Sequence, residues 1–169
     1  MTSPTEPEAS ASAVIRVADE PALGRLATRL AATLGPRVVV ALSGDLGAGK
    51  TTFVKALAAA VGIDAAEVTS PTFGLIHVHA LPAAVGRAAR IVHADMYRLA
   101  HPGELAETGW DDAIAGDAWV FVEWPERIAA ALPAERIDAT IGIESPTARL
   151  LTFTGHGAAA AIVQKLAPG

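Results

Sequence analysis

Short apolar runs, the longest of them unbroken, are the clearest pattern along the chain. Residues 38–42 read Val-Val-Val-Ala-Leu, and two shorter runs occupy residues 91–94 and 120–122. Continuous apolar runs of this length are typical of parallel strands that are covered on both faces. The two shorter runs each end in a carboxylate, Asp95 and Glu123 respectively. The pattern therefore predicts a buried parallel sheet with acidic side chains at one edge.

Weaker patterns predict further strands. Residues 14–17 and 73–78 are short strand candidates, while residues 137–143 alternate apolar side chains with others. The alternating segment faces Leu151 and Phe153 across a Ser-Pro turn signal. This arrangement predicts a hairpin near the C-terminus.

Helical spacing occurs in three places. Leucines recur every three or four residues within residues 23–34, after Asp19 or Glu20 as a start signal. Residues 51–61 are rich in alanine, a strong helix former, and another alanine-rich segment ends near Leu166. Helices between strands predict an α/β fold, with a mixed sheet and helices on its faces.

Composition narrows the class of protein. With 169 residues, 51% hydrophobic and 18% charged, the chain fits one domain, which we assign to residues 13–169. Residues 1–12 are acidic and rich in Ser and Pro, without a basic start or an apolar run, and they predict a disordered leader. No apolar stretch approaches the roughly 18 residues that span a bilayer, so we expect a cytoplasmic protein without membrane contact. Cysteine is absent, which excludes disulfides and cysteine-ligated zinc.

The most specific motif is G-x-x-x-x-G-K-[ST] at residues 44–51, between a predicted strand and a predicted helix. Its glycines allow backbone N–H groups to point inward, and the helix N-terminus adds partial positive charge, which together bind a β-phosphate. Lys50 is expected to neutralise β and γ oxygens, and Thr51 to offer its hydroxyl to Mg²⁺. Nucleotide contacts are predicted at Gly44, Asp45, Leu46, Gly47, Ala48, Gly49, Lys50, Thr51 and Thr52.

This motif refines the predicted fold to a P-loop NTPase-like three-layer sandwich, with a mixed, mainly parallel central sheet and a C-terminal hairpin. The alternative is a glycine-rich turn that only joins a strand to a helix. That alternative leaves Lys50 at a helix N-terminus without an anion, which the helix dipole disfavours.

The base is predicted to be adenine. GTP-specific P-loop proteins typically read guanine with an Asn/Thr-Lys-x-Asp element. The chain contains no asparagine, and its other lysines, Lys55 and Lys165, are followed two residues later by Leu57 and Ala167. ATP is therefore favoured over GTP.

Metal-ligating side chains are expected where strands end. A P-loop needs an acidic residue on a neighbouring strand to hold Mg²⁺ or its waters and to orient the attacking water. Glu123 is the first candidate because it ends the more typical apolar run, and Asp95 is the second. Either could instead be a helix cap or a surface carboxylate. Three histidines, His77, His79 and His93, support a metal cluster only weakly and are interpreted as packing or surface residues.

Residues 67–73 form a hydroxyl-rich connection after the P-loop helix. Its position suits a switch segment that reaches the γ-phosphate and Mg²⁺ through a residue such as Thr72. A turn set by proline is an equally good interpretation. Arg98, just after a predicted strand, is either a contact to phosphate charge or a solvated side chain.

Four segments then occur in order: SGDLGAGKTT at residues 43–52, SPTF at 70–73, HADMYRL at 93–99 and VEWPER at 122–127. Together they resemble the TsaE family, formerly YjeE. These are small bacterial P-loop ATPases of the pathway that makes threonylcarbamoyladenosine at position 37 of tRNA. The resemblance covers residues 19 to about 149, and the later three segments are far more particular than the first.

The resemblance implies a compact α/β ATPase that acts with two partner proteins, TsaB and TsaD, which hold the transfer site. In the family, ATP binding and hydrolysis by the small subunit are linked to multiple turnover of the complex. With a net charge of −5, we expect contact with tRNA to be made mainly by the partners.

The resemblance also implies roles by position. Lys50 would neutralise phosphates, Thr51 and Glu123 would hold Mg²⁺, and Asp95 would assist the metal or water shell. Thr72 would belong to the switch-like segment.

Other positions follow the family less closely. Trp124 is implied to pack beside the site. The family often has Thr where Glu20 stands, and a Gly-Arg step is common in the family where residues 145–149 lie. These departures leave the base-contacting residues and the role of Arg149 open.

The resulting hypothesis is a Mg²⁺-dependent ATPase subunit, slow alone, with Lys50, Asp95 and Glu123 as its catalytic residues. Its hydrolysis would reset the TsaB and TsaD complex between turnovers, during position 37 modification of tRNAs that read codons beginning with A. The alternatives are a small-molecule kinase on the same fold, or a nucleotide-gated binding module with slow hydrolysis.

Overall fold

The computed structural model describes residues 9–71, 75–82 and 88–168. Seven strands in this part of the chain form one sheet, in the order β1-β7-β6-β2-β5-β4-β3. The strands are β1 (Ser10–Val17), β2 (Val38–Ser43), β3 (Ile76–Ala80), β4 (Arg90–Asp95), β5 (Ala118–Glu123), β6 (Ile137–Ile143) and β7 (Arg149–His156).

The sheet is mixed, with its parallel part in the centre. Strands β6, β2, β5 and β4 run parallel to one another, whereas β3 pairs antiparallel with β4 at one edge and β7 pairs antiparallel with both β6 and β1 at the other. The predicted hairpin is confirmed, because β6 and β7 pair with Ala139 opposite Phe153 and Ile141 opposite Leu151. The predicted fold class is confirmed as well.

Within the described residues, four α-helices accompany the sheet: α1 (Glu20–Thr33), α2 (Lys50–Ala60), α3 (Trp110–Ile114) and α4 (Ala160–Leu166). Asp19 begins α1, since its Oδ1 accepts a hydrogen bond from the backbone N–H of Ala22 at 2.8 Å. Short 3₁₀ segments occupy Ala65–Glu67, Pro102–Thr108, Pro125–Ala131 and Gly157–Ala159. Within the described residues, no helix has both the length and the apolar character needed to cross a membrane.

Alternate residues of the central strands enter two different cores. On β2, Val40 and Leu42 belong to the core that also contains residues of α1, α2 and α4. Val39 belongs to the core on the opposite face, together with Trp110 of α3. Because both faces of the sheet are covered, β2 can be apolar throughout, as its sequence indicates.

Several predicted boundaries were wrong. Strand β1 begins at Ser10 and not at residue 14, so the predicted leader boundary at residue 12 falls inside a strand. The whole of β1 pairs with β7, and only alternate residues face the core, so small Ala and Ser side chains suffice there. Strand β3 lies at Ile76–Ala80, later than the predicted residues 73–78, of which 73 and 74 lie outside the described residues.

Candidate functional site

A glycine-rich loop connects β2 to α2 at the carboxyl end of the parallel strands. Gly47 and Gly49 have φ values of 80° and 107°, in the left-handed region that favours glycine. Gly44 is close to strand β6, and a Cβ added to it would lie 2.7 Å from the carbonyl oxygen of Ile141. The loop therefore depends on glycine both for its turns and for its close approach to the hairpin.

Lys50 is the first residue of α2, yet the residue is only 6% exposed. Its Nζ donates hydrogen bonds to the carbonyl oxygens of Gly44 at 2.6 Å and Asp45 at 3.2 Å. The same Nζ lies 4.4 Å from the ring centroid of Trp124, within the range of a cation–π contact. An ammonium has three N–H donors, so the group is fixed inside the loop with donor capacity left for a phosphate oxygen.

The two predicted carboxylates end neighbouring parallel strands and pair in register, Asp95 beside Glu123. Glu123 is 4% exposed, and its Oε1 accepts a hydrogen bond from Thr51 Oγ1 at 2.7 Å. Nε2 of His93 also lies 2.8 Å from Oε1. The sheet thus brings the hydroxyl of Thr51 and the carboxylate of Glu123 into direct contact across 72 residues of sequence.

Asp95 is held by the segment predicted as a switch. Ser70 Oγ donates to Asp95 Oδ2 at 2.8 Å, and the backbone N–H of Tyr97 donates to Oδ1 at 3.0 Å. Residue 70 therefore reaches the carboxylate edge of the sheet, as a switch segment would. The prediction for Thr72 concerns a residue outside the described part of the chain.

These groups surround one cavity of about 370 Å³. It is lined by Leu46, Gly47, Gly49, Lys50, Thr51, Thr52, Ser70, Pro71, Asp95, Tyr97, Arg98, Glu123 and Trp124. A second cavity of about 350 Å³ lies on the other side of the loop, with Gly47, Gly49 and Thr52 common to both. The loop thus stands between a polar, charged cavity and a cavity with walls that include Val17, Leu23 and Phe53.

The structure places three of the predicted loop residues away from the first cavity. Gly44 and Asp45 contribute the carbonyl oxygens that hold Lys50, and Ala48 is fully buried and lines the second cavity. Arg149, with no role assigned from sequence, donates from Nε to the carbonyl oxygen of Ala48 at 2.8 Å. It thereby joins the hairpin to the loop.

The donor chemistry fits a magnesium nucleotide. A hydroxyl from Thr51 and carboxylates from Glu123 and Asp95 are the hard oxygen ligands that Mg²⁺ prefers. Among the described residues, no group of three or more His, Cys, Asp and Glu side chains could hold a metal ion. Mg²⁺ does not need such a group, since it usually takes one or two carboxylates, phosphate oxygens and waters.

The histidines are not arranged as a metal centre. The rings of His77 and His79 lie 6.4 Å apart on β3, while His93 contacts Glu123. Burial lowers the pKa of His79, and the neighbouring charges of His77 and His93 lower it further. Sequence reasoning missed the contact between His93 and Glu123. The available signal was that His93 lies two residues before Asp95 and so on the same face of β4.

The sheet order, the glycine-rich loop and the residues at the strand ends together define a P-loop NTPase fold. A family model described as "Threonylcarbamoyl adenosine biosynthesis protein TsaE" matches residues 17–151. The chain belongs to the TsaE family, as its motifs indicated.

Individual relatives agree with this assignment. The tRNA threonylcarbamoyladenosine biosynthesis protein TsaE of Streptomyces coelicolor is 38% identical over 136 residues, 78% of this chain and 89% of that protein. The protein of that name from Rickettsia bellii is 34% identical over 130 residues, 77% of this chain and 86% of that protein. The crystal structure of Bacillus subtilis YdiB superimposes with a TM-score of 0.71 at 28% identity, covering 96% of this chain and 97% of that one.

Proposed function

We propose that the chain is a Mg²⁺-dependent ATPase that serves threonylcarbamoyladenosine modification of tRNA at position 37, together with TsaB and TsaD. The observation that carries this proposal is the convergence of Lys50, Thr51, Asp95 and Glu123 on one cavity at the mouth of the P-loop. Membership of the TsaE family supports the pathway. The cytoplasm, where ATP and tRNA are both found, is the compartment that we propose for it.

The residues divide the work of phosphoryl transfer by position and charge. Backbone N–H groups of the loop bind the β-phosphate, and Lys50 contacts the β and γ oxygens. Thr51 and Glu123 hold Mg²⁺, which neutralises charge on those oxygens when it is bound. Asp95 orients the waters around the metal. No covalent intermediate is required, because positioning and charge stabilisation account for catalysis of this type.

We assign the nucleoside half of ATP to the second cavity. Its walls include Val17, Leu23 and Phe53, and it shares loop residues with the phosphate side. Apolar walls with a few polar groups are typical of sites for small aromatic ligands. Arg149 also lines this cavity, so it would lie beside the bound nucleoside.

The test of this function is a pair of substitutions in the full chain. Lys50→Ala should weaken binding of ATP by about 10- to 100-fold, since a hydrogen bond to a charged group contributes about 1.5–3 kcal/mol. Glu123→Ala should lose phosphate release while it retains part of the binding. Calorimetry and a phosphate assay measure the two effects.

Two controls match these variants. Lys55→Ala removes a lysine that is on the same helix as Lys50 but does not line the first cavity. Glu126→Ala removes an exposed carboxylate three residues beyond Glu123. Both controls should bind and hydrolyse ATP as the wild type does. Full turnover by Lys50→Ala or Glu123→Ala would overturn the proposal. Phosphate release without an acceptor separates it from a small-molecule kinase.

A nucleotide-gated binding module is the second candidate, and the bond between Ser70 and Asp95 is the observation that favours it. A segment that contacts the metal-side carboxylate can change when the γ-phosphate leaves. The test compares the affinity of the TsaB and TsaD complex for the ATP and ADP forms of the chain. Equal affinities would exclude gating, because a ligand that binds two states equally shifts neither.

A further inference from the structure

The carboxylate of Glu123 is fixed by two side chains at a single oxygen. Oε1 lies 2.7 Å from Thr51 Oγ1 and 2.8 Å from His93 Nε2. His93 is fully buried, and Glu123 is nearly so. These two bonds fix the position of a candidate metal ligand.

The sheet explains how the histidine reaches the carboxylate. On β4, His93 stands two residues before Asp95 and therefore on the same face of the sheet. Its parallel neighbour on β5 is Phe121, two residues before Glu123. The imidazole thus lies two residues further from the strand ends than the two carboxylates. It contacts Glu123 from within the sheet, while Thr51 contacts Glu123 from the start of α2.

The hydrogen-bond chemistry gives this contact a direction. A carboxylate oxygen can only accept, so Nε2 of His93 carries the proton and donates it. Within the described residues, Nδ1 of His93 has no hydrogen-bond partner. Within these residues, the hydrogen bonding of the ring is therefore confined to the bond between Nε2 and Glu123.

We propose that His93 is a positioning residue for Glu123, and this proposal rests on the ATPase function proposed above. By holding Oε1 against Thr51, His93 restricts rotation of the carboxylate and keeps Glu123 in line with the metal side of the cavity. Substitution of a group that orients a metal ligand in this way typically costs about 10- to 100-fold in metal affinity or activity. His93 touches neither nucleotide nor metal in this arrangement.

The experiment uses two variants of matched length in the full chain, His93→Gln and His93→Met. Glutamine keeps an N–H donor at nearly the reach of Nε2, whereas methionine fills similar space without one. We expect His93→Met to lower kcat by about 10- to 100-fold. We expect His93→Gln to recover most of that loss.

Binding measurements separate positioning from general damage. In EDTA, where Glu123 has no metal to hold, both variants should bind ATP as the wild type does. With Mg²⁺ present, only His93→Met should bind more weakly. In a Glu123→Ala background, adding His93→Met should leave the affinity for ATP unchanged both in EDTA and with Mg²⁺, because the histidine acts through Glu123.

Three outcomes would overturn the proposal: wild-type kcat in His93→Met, equal losses in both variants, or equally weak binding with and without Mg²⁺. If circular dichroism shows His93→Met to be unfolded, His93→Asn, with an amide too short to reach Glu123, replaces it with the same expected losses. Failure of the ATPase function itself is recognised separately, since the wild type would then neither bind nor hydrolyse ATP.

Discussion

At the residue scale, Trp124 shows how local strain serves the site. Its φ of 57° lies in the left-handed region, where any residue other than glycine costs about 1–2 kcal/mol. The residue follows Glu123 directly, and its ring packs 5.0 Å from that of Tyr97 and covers Nζ of Lys50. The strained turn at the end of β5 thus brings an aromatic ring over the lysine that the phosphate loop encloses.

His79 provides a prediction that depends on pH. Burial is the main reason that its pKa lies below the ordinary value of 6.5, followed by the charges of His77 and His93. A lowered pKa means that protonation favours the unfolded chain. The stabilising contribution is therefore complete above the unfolded pKa and is lost as the pH falls from that value through the lowered folded pKa.

We expect His79→Gln to flatten the decline in stability that sets in as the pH falls below the ordinary value of 6.5. Urea midpoints of the wild type and the variant at each pH measure this. His156→Gln is the control, because His156 faces Asp138 at 2.7 Å and does not share the environment of His79. An identical pH slope in the wild type and His79→Gln would contradict the prediction.

At the scale of elements, the sequence specified the site better than it specified the borders of the sheet. Strand β2, the loop, α2 and the acidic ends of β4 and β5 were predictable, because continuous apolar runs and a long motif are strong local signals. The extent of β1 was not, because its first residues are Ser and Ala and are held by backbone pairing with β7.

Long-range contacts within the site were also beyond local reasoning. The pairing of Asp95 with Glu123 required knowledge that β4 and β5 are neighbours in the sheet. The bond from Arg149 to Ala48 spans 101 residues of sequence and has no periodic signature. Helix α3 is five residues long. Its stability comes from the packing of Trp110 in the core that also contains Val39, rather than from helix propensity.

The tie between the hairpin and the loop leads to a prediction. Arg149 donates from Nε to Ala48 and from Nη1 to the carbonyl oxygens of Ser145 and Ala148, so it fixes the loop against the β6–β7 turn. Arg149→Met keeps the length of the side chain but removes these donors. We expect it to weaken ATP binding about 3- to 10-fold, since one hydrogen bond contributes about 1 kcal/mol.

Arg16→Met is the matched control for this variant. Arg16 pairs with Glu144 at 2.7 Å, but its side chain is 60% exposed, and exposed pairs contribute little. Calorimetry with ATP should show wild-type affinity for Arg16→Met. Equal affinities of Arg149→Met and the wild type would mean that the loop is held without the hairpin.

At the scale of the whole molecule, the parallel strands are what assemble the site. Because β2, β5 and β4 are neighbours and run parallel, their carboxyl ends meet at one edge. That edge carries the P-loop after β2, Glu123 at the end of β5 and Asp95 at the end of β4. Ligands of open α/β sheets bind at this edge as a rule. The fold alone does not define the reaction, so the side chains at the edge carry the functional argument.

Ligand binding at this edge should stabilise the whole chain. A ligand that binds only the folded state adds about 2.7 kcal/mol at 100 times its dissociation constant. For a chain of this size, that corresponds to a rise in Tm of about 5–10 °C. We expect Mg²⁺ with ATP to produce such a rise in calorimetric scans, and GTP at the same concentration to produce less, because no guanine-reading element is present in the sequence.

The control for this shift is Lys50→Ala: with ATP binding weakened about 10- to 100-fold, the same ligand concentration should stabilise it by only about 0.4–1.4 kcal/mol, so its rise in Tm should be about half that of the wild type or less. An equal rise with GTP would contradict the preference for adenine but leave the phosphate site in place. No rise in the wild type at saturating ATP would contradict the site itself. The two results differ because Lys50 lines the first cavity, whereas the base would be distinguished in the second cavity, which has Val17, Leu23 and Phe53 in its walls.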